Sequence, residues 1–245
     1  MIKLSERLKR VASYIPEDST LADIGSDHAY LPIYAMQNGL IKEAIAGEVA
    51  EGPYNAAKAS VEAAGYDKQI DVRKGDGLSV IKNGEKIDCI TIAGMGGALI
   101  SSILEQGKNQ LTTANVKRLI LQPNISANTI RKWFLNNGWE LINESILEED
   151  GHIYEILIAE RGEPTNPYNK KDMEKEILFG PFLLKEDQAF PFIKKWSREY
   201  NEWLRVYEQL AKASVSDGIT KKKEEIKQFI EWYEEVYPNE NSKRI

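Results

Sequence analysis

Cysteine is nearly absent from this chain, where Cys89 stands alone. One thiol excludes an intramolecular disulfide, and its place inside the apolar run IDCITIAG predicts a packed strand residue rather than a reactive one. Histidine is almost as scarce. His28 and His152 are the only two, so no metal-ligand cluster exists at useful spacing and no metal is expected. His152 follows Gly151 in a turn and reads as a surface residue. No run approaches the ~20 apolar residues of a membrane span, and MIKLSERLKRVASYI lacks the apolar block of a secretory signal. A cytoplasmic protein with no membrane partner is the expectation. An excess of positive charge is missing too. The net charge is −6, which argues against a basic coat but leaves room for local basic patches.

A further absence lies in the first strand-to-helix turn, DIGSDHAYLP. A dinucleotide site needs G-x-G-x-x-G there, so that pyrophosphate rests on bare backbone. This turn has Gly25 and then none of the others. Asp27 would repel a pyrophosphate at that place, so a redox dinucleotide domain is disfavoured. A ligand with a positive centre and no phosphate fits better, and S-adenosylmethionine is such a ligand. Gly25 permits close backbone approach. Asp23 and Asp27 bring negative charge near an amino group and a sulfonium.

What is present supports an α/β domain. Strand-type runs TLADI, AIAGEV, IDVRKG, IDCITIAG and VKRLILQP alternate with helical stretches AYLPIYAMQNG, PYNAAKASVEAAG, GALISSILEQG and SANTIRKWFLNNG. That alternation predicts right-handed βαβ units and a mostly parallel sheet. Two last strands, ELINESILEE and HIYEILIAER, are separated only by Asp150-Gly151, so the sheet should end in an antiparallel hairpin. Leu4, Leu8, Val11 and Ile15 at helical spacing predict a covering helix before the first strand.

Acids and glycines sit at successive strand ends. Glu48 closes the second strand, where an acid accepts from both ribose hydroxyls. Asp76 and Gly77 follow the third, where a carboxylate can accept from an adenine amine. Ala93, Gly94 and Met95 close the fourth in a glycine-rich turn that can face a transferring methyl group. Each signal alone is weak; together, in this order, they predict a methyltransferase domain over residues 1–162. The [Asp/Asn]-Pro-Pro-aromatic pattern common in enzymes that methylate exocyclic amines is absent after the fourth strand. Gln122, Pro123 and Asn124 come one strand later, either lining a base pocket or capping a turn. With no cysteine at a motif turn, a covalent-cysteine route to pyrimidine C5 is disfavoured.

Past the joint GEPTNPY the pattern changes. Ile193, Trp196, Tyr200, Trp203, Tyr207 and Leu210 are spaced 3, 4, 3, 4, 3, a heptad seam. After SVSDG a second stretch carries Ile219, Ile226, Phe229, Ile230, Tyr233 and Val236. The expectation is a C-terminal α-helical coiled-coil hairpin over residues 163–245.

Taken together, DIGSDHAYLP, GDGL, AGMGG, QPN and the charged helical hairpin resemble the bacterial tRNA (adenine-22-N1)-methyltransferase family over nearly the whole chain. The resemblance implies a class I (Rossmann-like) methyltransferase domain, S-adenosylmethionine as donor, S-adenosylhomocysteine as product, and transfer to N1 of an adenine in the tRNA D-arm, with the hairpin helping to hold the tRNA. For that chemistry Asp27 suits stabilisation of the developing cation, and His28 suits orientation of the carboxylate or contact with the base. Tyr30 can stack on a base or serve the core. Lys194, Lys195 and Arg198, with Lys221 and Lys222, can form a phosphate-tracking strip if charge segregates by face, since residues 168–237 hold 13 Lys and Arg against 14 Asp and Glu. A monomer is expected. The alternative is a methyltransferase acting on another RNA, a small molecule or a protein, with the hairpin used for dimerisation.

Overall fold

In the computed structural model, which describes residues 2–185, 190–212 and 216–238, seven strands form one sheet in the order β3-β2-β1-β4-β5-β7-β6. The strands are β1 Ser19–Ile24, β2 Ile41–Glu48, β3 Ile70–Lys74, β4 Cys89–Gly96, β5 Arg118–Ile125, β6 Trp139–Glu149 and β7 His152–Arg161. The first five pair in parallel. β7 is antiparallel to both β5 and β6. The expected terminal hairpin is therefore present, but its second strand is inserted between β5 and the first.

Helices cover both faces. α1 (Glu6–Ala12), α2 (Tyr30–Gln37) and α3 (Glu51–Ala64) lie on one side, where Val11, Ile33, Ala57 and Val61 pack on Leu21, Ala46 and Ile120. α4 (Gly97–Gln106), α5 (Lys108–Thr113) and α6 (Ala127–Asn136) lie on the other, joining Ile90, Ile92 and Leu121 through Ile100, Leu104 and Phe134. Both clusters are nearly all aliphatic, as strands covered on two faces require. Ser5 caps α1, its Oγ accepting from the Leu8 amide at 3.2 Å.

Three short elements escaped the sequence patterns: a 3-10 turn at Gly77–Val80, α5, and α7 at Met173–Phe179. Each is too short to show a helical period. α7 carries the chain from the sheet to the hairpin, formed by α8 (Phe190–Lys212) and α9 (Asp217–Val236). The helix break expected over SVSDG falls partly on residues 213–215, outside the described residues, as do 239–245. The hairpin core is aromatic at its base, with Phe192, Trp196, Tyr200 and Tyr233 buried beside Phe179. Towards the turn, Tyr207 and Leu210 are only half-buried.

A cluster of charges joins the hairpin to the sheet. Arg131 of α6 is fully buried and bonds Glu144 of β6 and Glu155 of β7, each at 2.6 Å. It also donates to the carbonyls of Ile177 and Leu178, at 3.2 Å each. Lys195 of α8 pairs with the same Glu155. Burial opposes the charge on Glu155, but Lys195 and Arg131 outweigh it and hold the carboxyl below its ordinary value.

Candidate active site

The order of strands reverses at β1, and the carboxyl ends of β1 and β4 open there into a crevice where ligands of open α/β sheets bind. A cavity of about 470 Å³ occupies it, lined by Asp23, Gly25, Asp27, Glu48, Ala93, Gly94 and Met95 among others. Asp23 is the last residue but one of β1 and is 4 % exposed. Its two oxygens accept from Ser26 Oγ and Thr91 Oγ1, at 2.6 Å each. Burial pushes its carboxyl up to about 6, and Glu48 adds to the effect. A buried carboxylate beside a second acid and without a cationic partner is a natural receptor for a cation.

Gly25 has φ +71°, and a Cβ there would lie 2.1 Å from Met95 Cε. A side chain there would have to displace the flexible end of Met95, and the positive φ itself favours glycine. Next comes an unusual turn: Asp27, His28 and Ala29 have φ of 37°, 62° and 56°. Left-handed conformation costs a non-glycine residue roughly 1–2 kcal/mol. One opposing contact is the Asp27 amide, which donates to Glu48 Oε1 at 2.6 Å. The turn pushes the Asp27 side chain outward, 86 % exposed, with His28 Nε2 3.7 Å from its Oδ1. The His28 ring stacks on Tyr30, centroids 5.1 Å apart and planes at 13°. Tyr30 is exposed and lines the cavity, so the core alternative for it falls away.

Opposite this turn, β4 bulges. Ala93 pairs with Gln122 and Met95 with Pro123, leaving Gly94 out of register with φ +78°. Gln122 explains the bulge. It is fully buried, Oε1 accepts from the Gly94 amide at 3.0 Å and from Arg7, and Nε2 donates to the Pro123 carbonyl at 2.9 Å. The reading of Gln122 as a base-contacting residue is corrected accordingly, because its buried amide is committed to Gly94, Arg7 and the Pro123 carbonyl. Pro123 is buried too, but it lines a second cleft on the far side of Asn124. Asn124 bonds the Gly94 carbonyl at 2.8 Å, yet it is exposed and lines the cavity.

Asp76 and Gly77 flank the cavity at the end of β3 but do not line it. The lysines require a second correction. Lys194 pairs with Glu148 at 2.5 Å and Lys195 with Glu155, both partly buried at the base of the hairpin. Lys222 pairs with Glu225 at 2.7 Å, and Lys221 is exposed. Lys223 lies 5.2 Å from the Tyr207 ring centroid, which sets the hairpin register. Lys221 and Lys222 are therefore about 12 residues, roughly 18 Å, from Lys195 along the hairpin. These cations do not form one strip. Arg198 is exposed, one helical turn beyond Lys195 on α8, and lines the same cleft as Lys195.

Arg7 was not anticipated. Reaching in from α1, it places its guanidinium 5.2 Å from the Tyr154 ring centroid and bonds Gln122, as the one basic side chain among the described residues that lines the cavity. It lies far upstream of the strand-end motifs, on a helix whose periodicity announces only apolar positions. Among the described residues, no three His, Cys, Asp or Glu side chains converge to hold a metal, and no helix is long and apolar enough to cross a membrane. Burial raises the Cys89 thiol far above its ordinary value, leaving it unreactive.

This sheet order, with acids at the ends of β1 and β2 and a glycine bulge at the end of β4, defines a class I methyltransferase. Residues 21–235 match the TrmK family model, described as tRNA (adenine(22)-N(1))-methyltransferase. The chain belongs to that family. It is 50% identical over 235 residues to the Bacillus subtilis (strain 168) tRNA (adenine(22)-N(1))-methyltransferase, covering 96% of this chain and 97% of that protein. The crystal structure of the B. subtilis enzyme superposes with a TM-score of 0.91 at 49% identity, covering 96% and 99% of the two chains. Streptococcus pneumoniae Sp1610, solved in complex with S-adenosyl-L-methionine, gives 0.83 at 41% identity, covering 96% and 99%. Mycoplasma capricolum TrmK, solved with S-adenosylhomocysteine, gives 0.76 at 30%, covering 94% and 98%.

Proposed function

We infer that this protein transfers a methyl group from S-adenosylmethionine to N1 of adenine 22 in tRNA. Family membership over residues 21–235 carries that reading. The acid-lined cavity supports it: Asp23 and Glu48 suit a donor with a cationic end and a ribose, and Gly25 and Gly94 let it approach the backbone. Its acceptor side, at the ends of β4 and β5, is where a base would enter. The same reading carries a cytoplasmic monomer, with residues 1–162 holding the donor and the segment beyond serving the tRNA.

When bound, S-adenosylmethionine supplies an electrophilic methyl group on its sulfonium. Adenine N1 carries its own lone pair, so no side chain has to remove a proton. What the protein supplies is orientation, exclusion of water, and negative charge where the ring becomes cationic. Tyr30 stacks on the base, Asn124 meets its edge, Asp27 faces the developing charge, and His28 restrains Asp27. Mass spectrometric mapping of tRNA after incubation with isotopically labelled donor tests the whole reading. Label on any nucleoside other than adenine 22 would overturn it.

Two predictions concern the donor. Glu48→Ala should weaken its binding by about 1–3 kcal/mol, the scale of hydrogen bonds to a carboxylate. Unchanged affinity by calorimetry would remove Glu48 from the ribose site. The second follows from Asp23, whose folded value is raised to about 6. Its charge is present above that pH and lost below it. Donor affinity should be level above about pH 7 and fall roughly tenfold per unit below pH 6. A flat profile between pH 5 and 8 would mean that Asp23 does not meet the donor's cationic end.

A further inference from the structure

We propose that the cleft between the Gln122-Pro123-Asn124 turn and the helical hairpin is a second base pocket, which holds a nucleotide flanking the methylated adenine. This rests on the proposed tRNA substrate and adds a subsite to it.

The cleft measures about 390 Å³, within the range of small-ligand sites. It shares Asn124 with the donor cavity, so the two open on either side of one side chain. One wall is Ile125, 70 % exposed, which is unusual for an isoleucine that borders polar groups. The opposite wall is Trp203 and Phe229, with ring centroids 5.4 Å apart. Trp196 contributes to the lining as well. It is 4 % exposed, and its indole N–H is buried without an acceptor among the described residues, a costly state for a donor. Arg198 lies exposed on the same lining and, unlike Lys195, is in no ion pair among the described residues. Glu199 beside it is the exposed opposing charge.

Apolar faces, an amide at the edge and an unpaired guanidinium together match a nucleotide. Bases stack on aromatic side chains in a sequence-tolerant way, amides meet base edges, and arginine takes phosphate with two parallel bonds. Continuity with the donor cavity selects the flanking nucleotide. An adenine whose N1 is paired or stacked must leave its neighbours to be methylated, and the nearest shelter for a neighbour is across Asn124. The phosphate joining the two nucleotides then passes the Arg198 side of the cleft.

The test uses the full-length protein and substrate tRNAs carrying an abasic site immediately 5′ or 3′ of the methylated adenine. On the wild-type protein, one of the two positions should raise KM for tRNA about tenfold or more, the scale of one lost stack. With Phe229→Ala that abasic tRNA should bind no worse than intact tRNA, because the stack is already gone. If neither abasic position matters, or if the abasic and Phe229→Ala losses multiply, the pocket is refuted. Phe229→Ala must keep its affinity for S-adenosylhomocysteine and its helical circular dichroism. Arg198→Ala, at an exposed position, provides an arm free of folding effects. It should lower the salt dependence of tRNA binding by about one phosphate contact and leave donor affinity unchanged, and an unchanged salt slope counts against the pocket. Failure of the wild-type protein to methylate tRNA would instead strike the function on which the proposal rests.

Discussion

Asp27→Asn should lower the single-turnover rate about 100-fold or more at saturating donor and tRNA, the scale for removing one preorganised electrostatic group. Donor and tRNA affinities should change little. The substitution keeps size and shape and removes the charge. In the free protein the Asp27 carboxylate is mostly exposed, where water screens it and its charge is worth little. Its value rises once tRNA covers the cavity mouth, so its effect belongs to the transition state rather than to either ground state. The competing possibility is that Asp27 anchors the donor's cationic end. Donor affinity would then fall, and saturating donor would restore the wild-type rate. That result would remove Asp27 from the chemistry.

Arg131→Ala should destabilise the protein by about 3–5 kcal/mol, because it strands Glu144 and Glu155 as buried charges with one fewer partner. For a chain of this length that is a loss of roughly 10 °C or more in Tm. By contrast, Lys222→Ala removes an exposed pair with Glu225 and should cost less than about 0.5 kcal/mol. Urea unfolding of both variants measures the difference. A loss below about 1 kcal/mol for Arg131→Ala would mean that water or rearrangement relieves the stranded carboxylates. The same cluster complicates any attempt to cut the chain near residue 163. α7 covers Arg131 with the carbonyls of Ile177 and Leu178, and the Phe182 amide bonds Glu144 at 3.1 Å. We therefore propose that a separable hairpin begins after α7, not before it.

Much of the sheet was legible because strands buried on both faces leave short apolar runs, and strand ends are marked by acids and glycines. Asp23, Gly25, Glu48 and Gly94 were found that way, from local signals alone. Pairing partners are different. Nothing local tells β7 to enter between β5 and β6, a choice made by the whole sheet edge. Side-chain fate is also non-local. Gln122 looks like a binding amide until Gly94, 28 residues away, claims it. Lys195 looks like a free cation until Glu155, 40 residues away, neutralises it. Arg7 is the converse case, polar on an ordinary helix and revealed only where the fold carries it.

The hairpin has a mechanical consequence. α8 runs 23 residues, roughly 35 Å, and among the described residues it is gripped at one end, where Phe192, Trp196 and Tyr200 are buried. It behaves as a lever with its fulcrum at the Arg131 cluster. A tilt of about 5° at that fulcrum would swing the far tip by roughly 3 Å, several times the tolerance of a hydrogen bond. The aim of the arm is therefore set by how stiffly three buried charges and the partly buried Lys195 hold its base, and softening that base would blur every contact at the tip without touching one of them.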